Sequence, residues 1–412
     1  MRYIVFLFLG YTSALFAQER NLDFYIKTAI NNAPAFRDLH NQAAINRQDS
    51  LLIRANLRPQ VIAGTAASIA PHKKGFGYDV AISNGGYLST LIGVSQPVFV
   101  PKPNLDAQFN TLAVQHKSLQ NMARLTEQDI RRAIGAQYIT AYSTAQQLTF
   151  NRETLDLLTR QELVFKRLTE QNIYRQTDYL TFLNALHQQE TTVQQFEAQY
   201  RNDLATLNYL CAITDTTRVA LPDPGLQLPV LPPVENTVFY RKFTIDSLQI
   251  RADDQLIDNP YRPTVSIFGD AGFNSSFISQ GWKNFGFSVG IGATLIISDG
   301  KQRQLRHEKT LLLENTRQGY SRFFLQQYEQ EIAQARQQLA ALDQLDLSVL
   351  AQLQNIRLLI EATGRLIRTG DARVVDYLIA IGNQLNAQNQ LTLNQTSRLQ
   401  ILNQLNFRNA PE

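Results

Sequence analysis

Two similar halves follow one another along this sequence. In the first half Arg58-Pro59 leads into the alternating run 61–70, and about two hundred residues later Arg262-Pro263 leads into the alternating run 265–273. A second set of matches keeps nearly the same spacing, with Leu168-Thr169 and Asp178-Tyr179-Leu180 recurring as Leu366-Ile367 and Asp376-Tyr377-Leu378. A long internal repeat of this kind limits the chain to folds in which one structural unit is built twice.

The repeat predicts how the chain is organised. We expect residues 18–211 to form one repeat of helix, β-hairpin and long helical hairpin, and residues 235–406 to form the second. The segment between them, residues 212–234, is rich in Pro and is expected to be a linker that runs in extended form along the helices. Residues 407–412 are a C-terminal tail.

The N-terminal residues have the pattern of a secretory signal peptide. Met1-Arg2 gives a positive start, the segment 4–16 is apolar apart from a few small or polar residues, and Ala17 offers a small residue for cleavage. We therefore expect residues 1–17 to be the signal peptide of an exported protein. The alternative, a membrane anchor, needs about 20 apolar residues, which is more than this segment contains.

Composition excludes a fold that depends on disulfides and gives no support to nucleic-acid binding. The single Cys, Cys211, stands among apolar neighbours and is expected to be buried and inert. The formal net charge is +4, but the Lys and Arg residues are scattered among Asp and Glu. A solvated surface is therefore the better interpretation than a nucleic-acid interface.

Two segments, 104–168 and 301–366, almost lack Pro and Gly and are rich in strong helix formers. As continuous helices each would be close to about 100 Å long, because a helix rises about 1.5 Å per residue. In the second segment a narrow apolar stripe recurs at spacings of three, four and seven: Ile332, Ala335, Leu339, Leu342, Val349, Leu353, Ile356 and Ile360. Such a stripe is typical of long helices packed side by side in a wall that is wet on both surfaces.

Alternation with a period of two predicts four β-strands. In the clearest run, 285–297, apolar residues alternate with small or polar ones, and only Ile296 departs from the pattern. Three further runs also alternate: 265–273, 61–70 and, less cleanly, 87–99. The first of these places Asp270 on its polar side, with Phe268 as an exception. Strands of about 9 to 11 residues with one apolar and one polar face fit a transmembrane β-barrel.

The alternative for these strands is half of a soluble β-sandwich, but four strands separated by long helices cannot complete one. Four strands also cannot close a membrane barrel, because the smallest use about eight and lipid does not tolerate an open sheet edge. Several copies of the chain must therefore share one barrel. Three copies would give about twelve strands, which leaves an aqueous lumen.

Each long helix is followed by a break and a returning helix. Asn172 in the first break matches Gly370 in the second, and these two residue types best tolerate the left-handed backbone that ends helices. The returning helices are expected to open with the matched residues Asp178 and Asp376, which suit a helix N-terminus by capping or by charge.

The order of signal peptide, helix, Arg-Pro, strand pair, long helix, turn and returning helix, given twice, resembles the TolC-type outer membrane efflux proteins of Gram-negative bacteria. Asp299-Gly300 and the segment 369–378 are similar to patterns of that family's second repeat. The similarity covers the chain from about Leu22 to Leu405.

This resemblance implies a mainly α protein with membrane β-structure. It implies a homotrimer in which four strands per chain form a twelve-stranded barrel in the lipid of the outer membrane, with twelve helices continuing as an α-barrel across the periplasm. The hairpin tips would meet a periplasmic adaptor, or membrane fusion protein, that links them to an inner membrane transporter. The implied function is an exit duct for efflux or type I secretion.

The resemblance also implies site residues. Asp376 matches a position that contributes an acidic constriction ring, while Ile379 stands where the family has a second ring. Three neighbours, Arg368, Asp371 and Arg373, complete the expected gate. The expected adaptor-binding tips comprise Glu170, Asn172, Arg175, Asp178 and Gly370. A helix cap remains the alternative role for Asp376.

Catalysis finds little support in the sequence. The five His residues are dispersed, and the pair His187 and Glu190 has a spacing that surface helices show routinely. We therefore expect no catalytic residues, no metal site and no cofactor. Two other interpretations stay open: a periplasmic coiled-coil adaptor or structural protein, and a secreted enzyme.

Overall fold

The computed structural model describes residues 20–69, 71, 86–215, 217, 219–276 and 278–411. The expected signal peptide, residues 1–17, lies outside the described residues. Within them the elements follow in the order α1 (Leu22–Asn32), α2 (Pro34–Ala55), β1 (Gln60–Ser68), β2 (Tyr87–Phe99), α3 (Lys102–Glu170), α4 (Gln176–Leu210), α5 (Val238–Ile257), β3 (Thr264–Ser275), β4 (Phe285–Thr294), α6 (Gln302–Thr369) and α7 (Val374–Arg408).

The expected elements are present, in the expected order. The two long helices, α3 and α6, contain 69 and 68 residues, and each is followed by a returning helix of 35 residues. Several element boundaries differ by a few residues from the sequence prediction. Strand β4 ends at Thr294 rather than at residue 297, and the returning helices begin two residues before Asp178 and Asp376.

The chain divides into two compact units. The helical unit contains Thr126–Pro232, Glu329–Ala410 and the N-terminal residues up to Pro34, and the sheet unit contains Ala35–Leu125 and Pro233–Tyr328. Each unit draws on both predicted repeats. The boundaries of the repeats therefore differ from the boundaries of the compact units.

In the helical unit, α6 and α7 pack through the narrow stripe that the sequence predicts. Ala335 and Leu339 of α6 contact Leu402 and Leu405 of α7 in one cluster. A second cluster combines residues further along the same two helices: Val349, Leu353, Ile356, Ala387 and Leu391. The rest of the α6 surface carries Gln and charged residues together with exposed apolar side chains such as Leu347 and Leu358.

The segment between the predicted repeats lies against the helical unit. Tyr138 donates a hydrogen bond of 2.7 Å to the carbonyl of Pro222, and Asn406 donates one of 2.9 Å to the carbonyl of Gln227. Leu221 is buried in the same core as Cys211. Cys211 is buried, as predicted, and burial raises the pKa of its thiol to about 12, which favours the protonated form.

In the sheet unit, the four strands form one antiparallel sheet in the order β1-β2-β3-β4. Strands β2 and β3 pair directly, so the hairpins of the two halves join into a single surface. The register shifts between Pro97 and Phe99, which forms a bulge near the end of β2. Strands β1 and β4 lie at the two edges of this sheet.

Candidate functional site

The sheet has one strongly apolar face that is exposed. On β4 this face carries Phe287, Val289 and Ile291, whose exposed fractions are 83%, 75% and 74%. The register places Ile267 and Ala271 of β3 on the same face, opposite Ile291 and Phe287. Side chains directly opposite in an antiparallel pair share a face, so the apolar surface extends across strands.

The other face of the sheet is lined mostly by Gly, Ser and Thr. Asp270 lies on this face, and the hydroxyl of Ser288 on β4 donates a hydrogen bond of 2.7 Å to its carboxylate. Phe268 also lies on this face, as expected from its exceptional place in the alternation. Its ring covers Gly290, where an added Cβ would lie 2.5 Å from the ring. The aromatic side chain therefore covers a glycine on the neighbouring strand, and such a pairing helps to fix the register of β3 against β4.

Among the described helices, none combines the length and apolarity needed to cross a membrane.

The two helical hairpins turn by the same backbone motif. Asn172 and Gly370 have φ values of 63° and 84°, in the left-handed region that the sequence predicts for both. The N–H of Ile173 bonds to the carbonyl of Leu168 at 2.9 Å, and the N–H of Asp371 bonds to the carbonyl of Leu366 at 3.0 Å. These bonds satisfy carbonyls left free at the ends of α3 and α6, in the Schellman pattern.

A tyrosine joins the two turns. The hydroxyl of Tyr174, in the first turn, lies 3.0 Å from the carbonyl oxygen of Ile367 and 2.8 Å from that of Ala372, in the second. Beneath it, the rings of Phe165 and Phe182 lie 4.6 Å apart, and Phe165 also contacts Tyr377. Burial raises the pKa of Tyr377 to about 12. The turns are therefore held together by a buried aromatic cluster and one hydroxyl.

The two matched acidic residues bond differently. The Asp376 carboxylate accepts two hydrogen bonds from the guanidinium of Arg373, which raises the pKa of that guanidinium. The Asp178 carboxylate accepts one hydrogen bond from the backbone N–H of Arg175. Arg373 and Arg175 are the N-cap residues of α7 and α4, so neither aspartate is itself the N-cap.

The remaining predicted site residues lie at the same two turns. Glu170 is the last residue of α3, Arg368 lies in the last turn of α6, and Asp371 follows Gly370. All three are exposed, and Ile379 on α7 is 56% exposed. The structure thus brings the predicted gate and adaptor-binding residues to two turns that Tyr174 connects.

Sequence reasoning missed Tyr174 and the aromatic cluster. Tyr174 corresponds to Ala372 in the second half, so the repeat gave no signal for it. His187 and Glu190 form an exposed pair at 3.0 Å, as is common on helix surfaces. Within the part of the chain that the structure describes, no group of three or more His, Cys, Asp or Glu side chains is arranged to hold a metal ion.

No protein-family model and no curated protein matches this sequence. Solved structures do match its fold. A membrane protein from Pseudomonas aeruginosa has a TM-score of 0.74 at 15% sequence identity, over 95% of this chain and 90% of that one. The outer-membrane channel OprN has a TM-score of 0.73 at 13% identity, over 95% and 90% of the two chains.

The outer membrane protein VceC from Vibrio cholerae has a TM-score of 0.73 at 12% identity, over 95% of this chain and 96% of VceC. Likeness at such low identity, over nearly the full length of both chains, establishes a shared fold. The chain therefore has the fold of these membrane proteins, and the TolC-type fold expected from its sequence is confirmed.

Proposed function

We propose that this chain is a subunit of an outer membrane channel in a Gram-negative bacterium. The channel is an exit duct that passes substrates from a periplasmic adaptor and an inner membrane transporter to the exterior, in efflux or in type I secretion. The observation that carries this proposal is the sheet with an exposed apolar face and a polar opposite face. A channel role, rather than an enzymatic one, also fits the likeness in fold to OprN, itself a channel.

The apolar face supports placement in lipid. Each large apolar side chain left in water forgoes about 1.5 to 3 kcal/mol of burial free energy. Phe287, Val289 and Ile291 are each about three-quarters exposed or more, so a soluble protein would gain nothing from this arrangement. The alternative function, a soluble periplasmic adaptor or structural coiled coil, would leave this apolar face in water, which is unfavourable.

The sheet edges support assembly from several copies. Strands β1 and β4 each have one neighbour in the described sheet, and an open edge in lipid leaves backbone groups without hydrogen bonds. Pairing β4 of one copy with β1 of the next satisfies both edges. We propose a homotrimer, because three copies supply twelve strands and leave an aqueous lumen.

The hairpin turns are the proposed periplasmic end. We propose that Glu170, Asn172, Arg175, Asp178 and Gly370 contribute to the surface that binds the adaptor. We propose that Asp376 and Arg373, with Arg368, Asp371 and Ile379 beside them, line the periplasmic aperture. Exposure of most of these side chains supports a role in contacts outside the chain.

The test begins with the full-length protein expressed in a Gram-negative host. We expect it in the outer membrane fraction, extracted only by detergent, with the mass of a trimer and with stepwise single-channel currents in planar lipid bilayers. A protein released without detergent, or one that is monomeric and passes no current, contradicts the proposal.

Two matched variants make the test specific to the sheet. Ile267 and Ser266 are neighbours on β3 that point to opposite faces. We expect Ile267→Lys to reduce the amount of assembled protein in the outer membrane, because a lysine facing lipid destabilises a membrane strand, by up to about 2 to 4 kcal/mol at the midplane. Ser266→Lys should assemble normally. Equal behaviour of the two variants would contradict a lipid-facing apolar surface.

A further inference from the structure

The sheet contains one charged side chain. Across the described strands β1 to β4, every residue is apolar, Gly, Pro or an uncharged polar residue except Asp270 on β3. Asp270 is the seventh of twelve residues in β3, so it lies near the middle of its strand. A single carboxylate in the middle of an otherwise neutral wall dominates the electric field along that wall.

Asp270 lies on the polar face. In the register it stands opposite Ser288 on β4 and opposite Gly93 on β2, and Ser288 donates a hydrogen bond of 2.7 Å to its carboxylate. This donor is a neutral hydroxyl. The hydrogen bond therefore orients the carboxylate without compensating its charge.

Several residues around the carboxylate on the polar face are glycines. Its neighbours on the polar face include Gly93 on β2, Gly272 on β3, and Gly286 and Gly290 on β4. None of these glycines carries a side chain that could cover the carboxylate, which is half-buried rather than enclosed. Water and ions on this side of the sheet can therefore approach Asp270.

We infer that Asp270 determines the ion selectivity of the barrel, making it prefer cations over anions. This inference rests on the proposed channel function. In a trimer with the apolar face toward lipid, the polar face lines the lumen, and three Asp270 carboxylates face one water-filled space. Rings of acidic side chains concentrate cations and deplete anions in a pore.

At the proposed aperture, acidic and basic side chains occur in equal number, Asp371 and Asp376 with Arg368 and Arg373. The Asp376 carboxylate is bonded to the guanidinium of Arg373 in the same chain, so this pair carries no net charge. Within the described strands β1 to β4, Asp270 has no such cation beside it and is the one charged residue. The inference therefore places selectivity in the barrel rather than at the aperture.

The experiment measures reversal potentials of single channels in planar bilayers under KCl gradients. We expect the wild-type channel to prefer K⁺, and Asp270→Asn to lower the K⁺ to Cl⁻ permeability ratio by roughly twofold or more. Asp270→Lys should reverse the preference toward Cl⁻. The difference between wild type and Asp270→Asn should shrink as KCl rises toward 1 M, where screening acts over about 3 Å.

Ser288→Ala is the matched control. It removes the hydrogen bond but keeps the charge, so the cation preference should persist. If Asp270→Asn forms channels with the wild-type permeability ratio, the inference is overturned and the channel proposal stands. If the wild-type protein passes no current, the channel proposal falls as well. Asp270→Ser, a second neutral variant, decides the question should the Asn variant not assemble.

Discussion

The guanidinium of Arg373 donates two hydrogen bonds to the carboxylate of Asp376, with lengths of 2.8 and 3.0 Å, across the first turn of α7. At the matching place in the other hairpin, the Asp178 carboxylate accepts a bond of 3.3 Å from the backbone N–H of Arg175. The same two residue types therefore form different hydrogen bonds in the two hairpins. In α7 the acid is neutralised by a side chain, whereas in α4 it satisfies a free backbone donor.

The Arg373 and Asp376 pair should control block of the channel by divalent cations. Arg373→Ala leaves the carboxylate uncompensated, so we expect the concentration of Mg²⁺ that halves the current to fall about twofold or more. Asp376→Ala leaves the guanidinium uncompensated and should raise that concentration. The double variant should return close to wild type, because both charges are gone.

The measurement is single-channel current in planar bilayers with Mg²⁺ added on the side of the hairpin turns. Unchanged block in both single variants would mean that ions in the pore do not meet this pair. Asp376 would then act at the start of α7 alone, through its favourable interaction with the helix dipole.

Tyr174 should hold the two hairpin turns together. In Tyr174→Phe the carbonyls of Ile367 and Ala372 lose a donor, and we expect the turns to open more easily by about 0.5 to 1.5 kcal/mol. Faster amide hydrogen exchange in residues 366–374 would report this opening. Tyr209→Phe is the matched control, because that side chain is 81% exposed. Equal exchange in the two variants would show that the hydroxyl does not tether the turns.

The two left-handed positions should differ in their tolerance of alanine. Asn172→Ala places a residue with poor left-handed propensity at a φ of 63° and should lower the unfolding free energy by about 1 to 2 kcal/mol. Gly370→Ala should cost more, because its new Cβ would also lie 2.8 Å from Cγ2 of Ile173.

Gly382→Ala in α7 is the control for both. An added Cβ there has no atom within 4 Å, and replacing a helical Gly by Ala should stabilise the protein by about 0.5 to 1 kcal/mol. Thermal unfolding of the purified protein, followed by circular dichroism, orders the three variants. A Gly370→Ala variant as stable as Asn172→Ala would contradict the contact with Ile173.

Part of this fold can be predicted from the sequence, because the repeat shows the same local features twice. Asn172 and Gly370 marked both turns because few residues adopt a left-handed backbone, and the stripe from Ile332 to Ile360 marked the packed side of α6. These features depend on local chain geometry or on a regular period. Turn residues and an apolar stripe can therefore be recognised from residues close together in the sequence, without knowing the fold.

Other features depend on residues far apart in the chain. The Tyr174 hydroxyl bonds to carbonyls 193 and 198 residues away, and the sequence gives no local sign of such a pairing. Phe268 broke the strand alternation, but only the register between β3 and β4 shows that its ring covers Gly290. Asp376 and Asp178 likewise have different partners, a side chain and a backbone N–H, although each follows an arginine by three residues, so the sequence alone does not distinguish them.

His307 lies between two carboxylates in the sheet unit. Its Nδ1 lies 2.8 Å from Asp254 and its Nε2 lies 3.3 Å from Asp258, both at the end of α5. Arg303 and Thr310 of α6 also donate hydrogen bonds to these carboxylates, Arg303 to Asp258 and Thr310 to Asp254. The hydrogen bond to Asp254 raises the pKa of His307, while burial opposes the shift. Protonated His307 therefore joins α6 to the end of α5.

This arrangement should make stability depend on pH. Because the pKa of His307 is higher in the folded state, its contribution is fully present below the unfolded value of about 6.5. It is then lost as the pH rises through the folded value. We expect the melting temperature to fall as the pH is raised above about 6.5, and to fall less in His307→Gln. His187, whose ring is 68% exposed beside Glu190, is the matched control. Since an exposed pair contributes little to stability, His187→Gln should keep the wild-type slope of melting temperature against pH. Equal slopes in the two variants would mean that the His307 contacts do not couple protonation to folding.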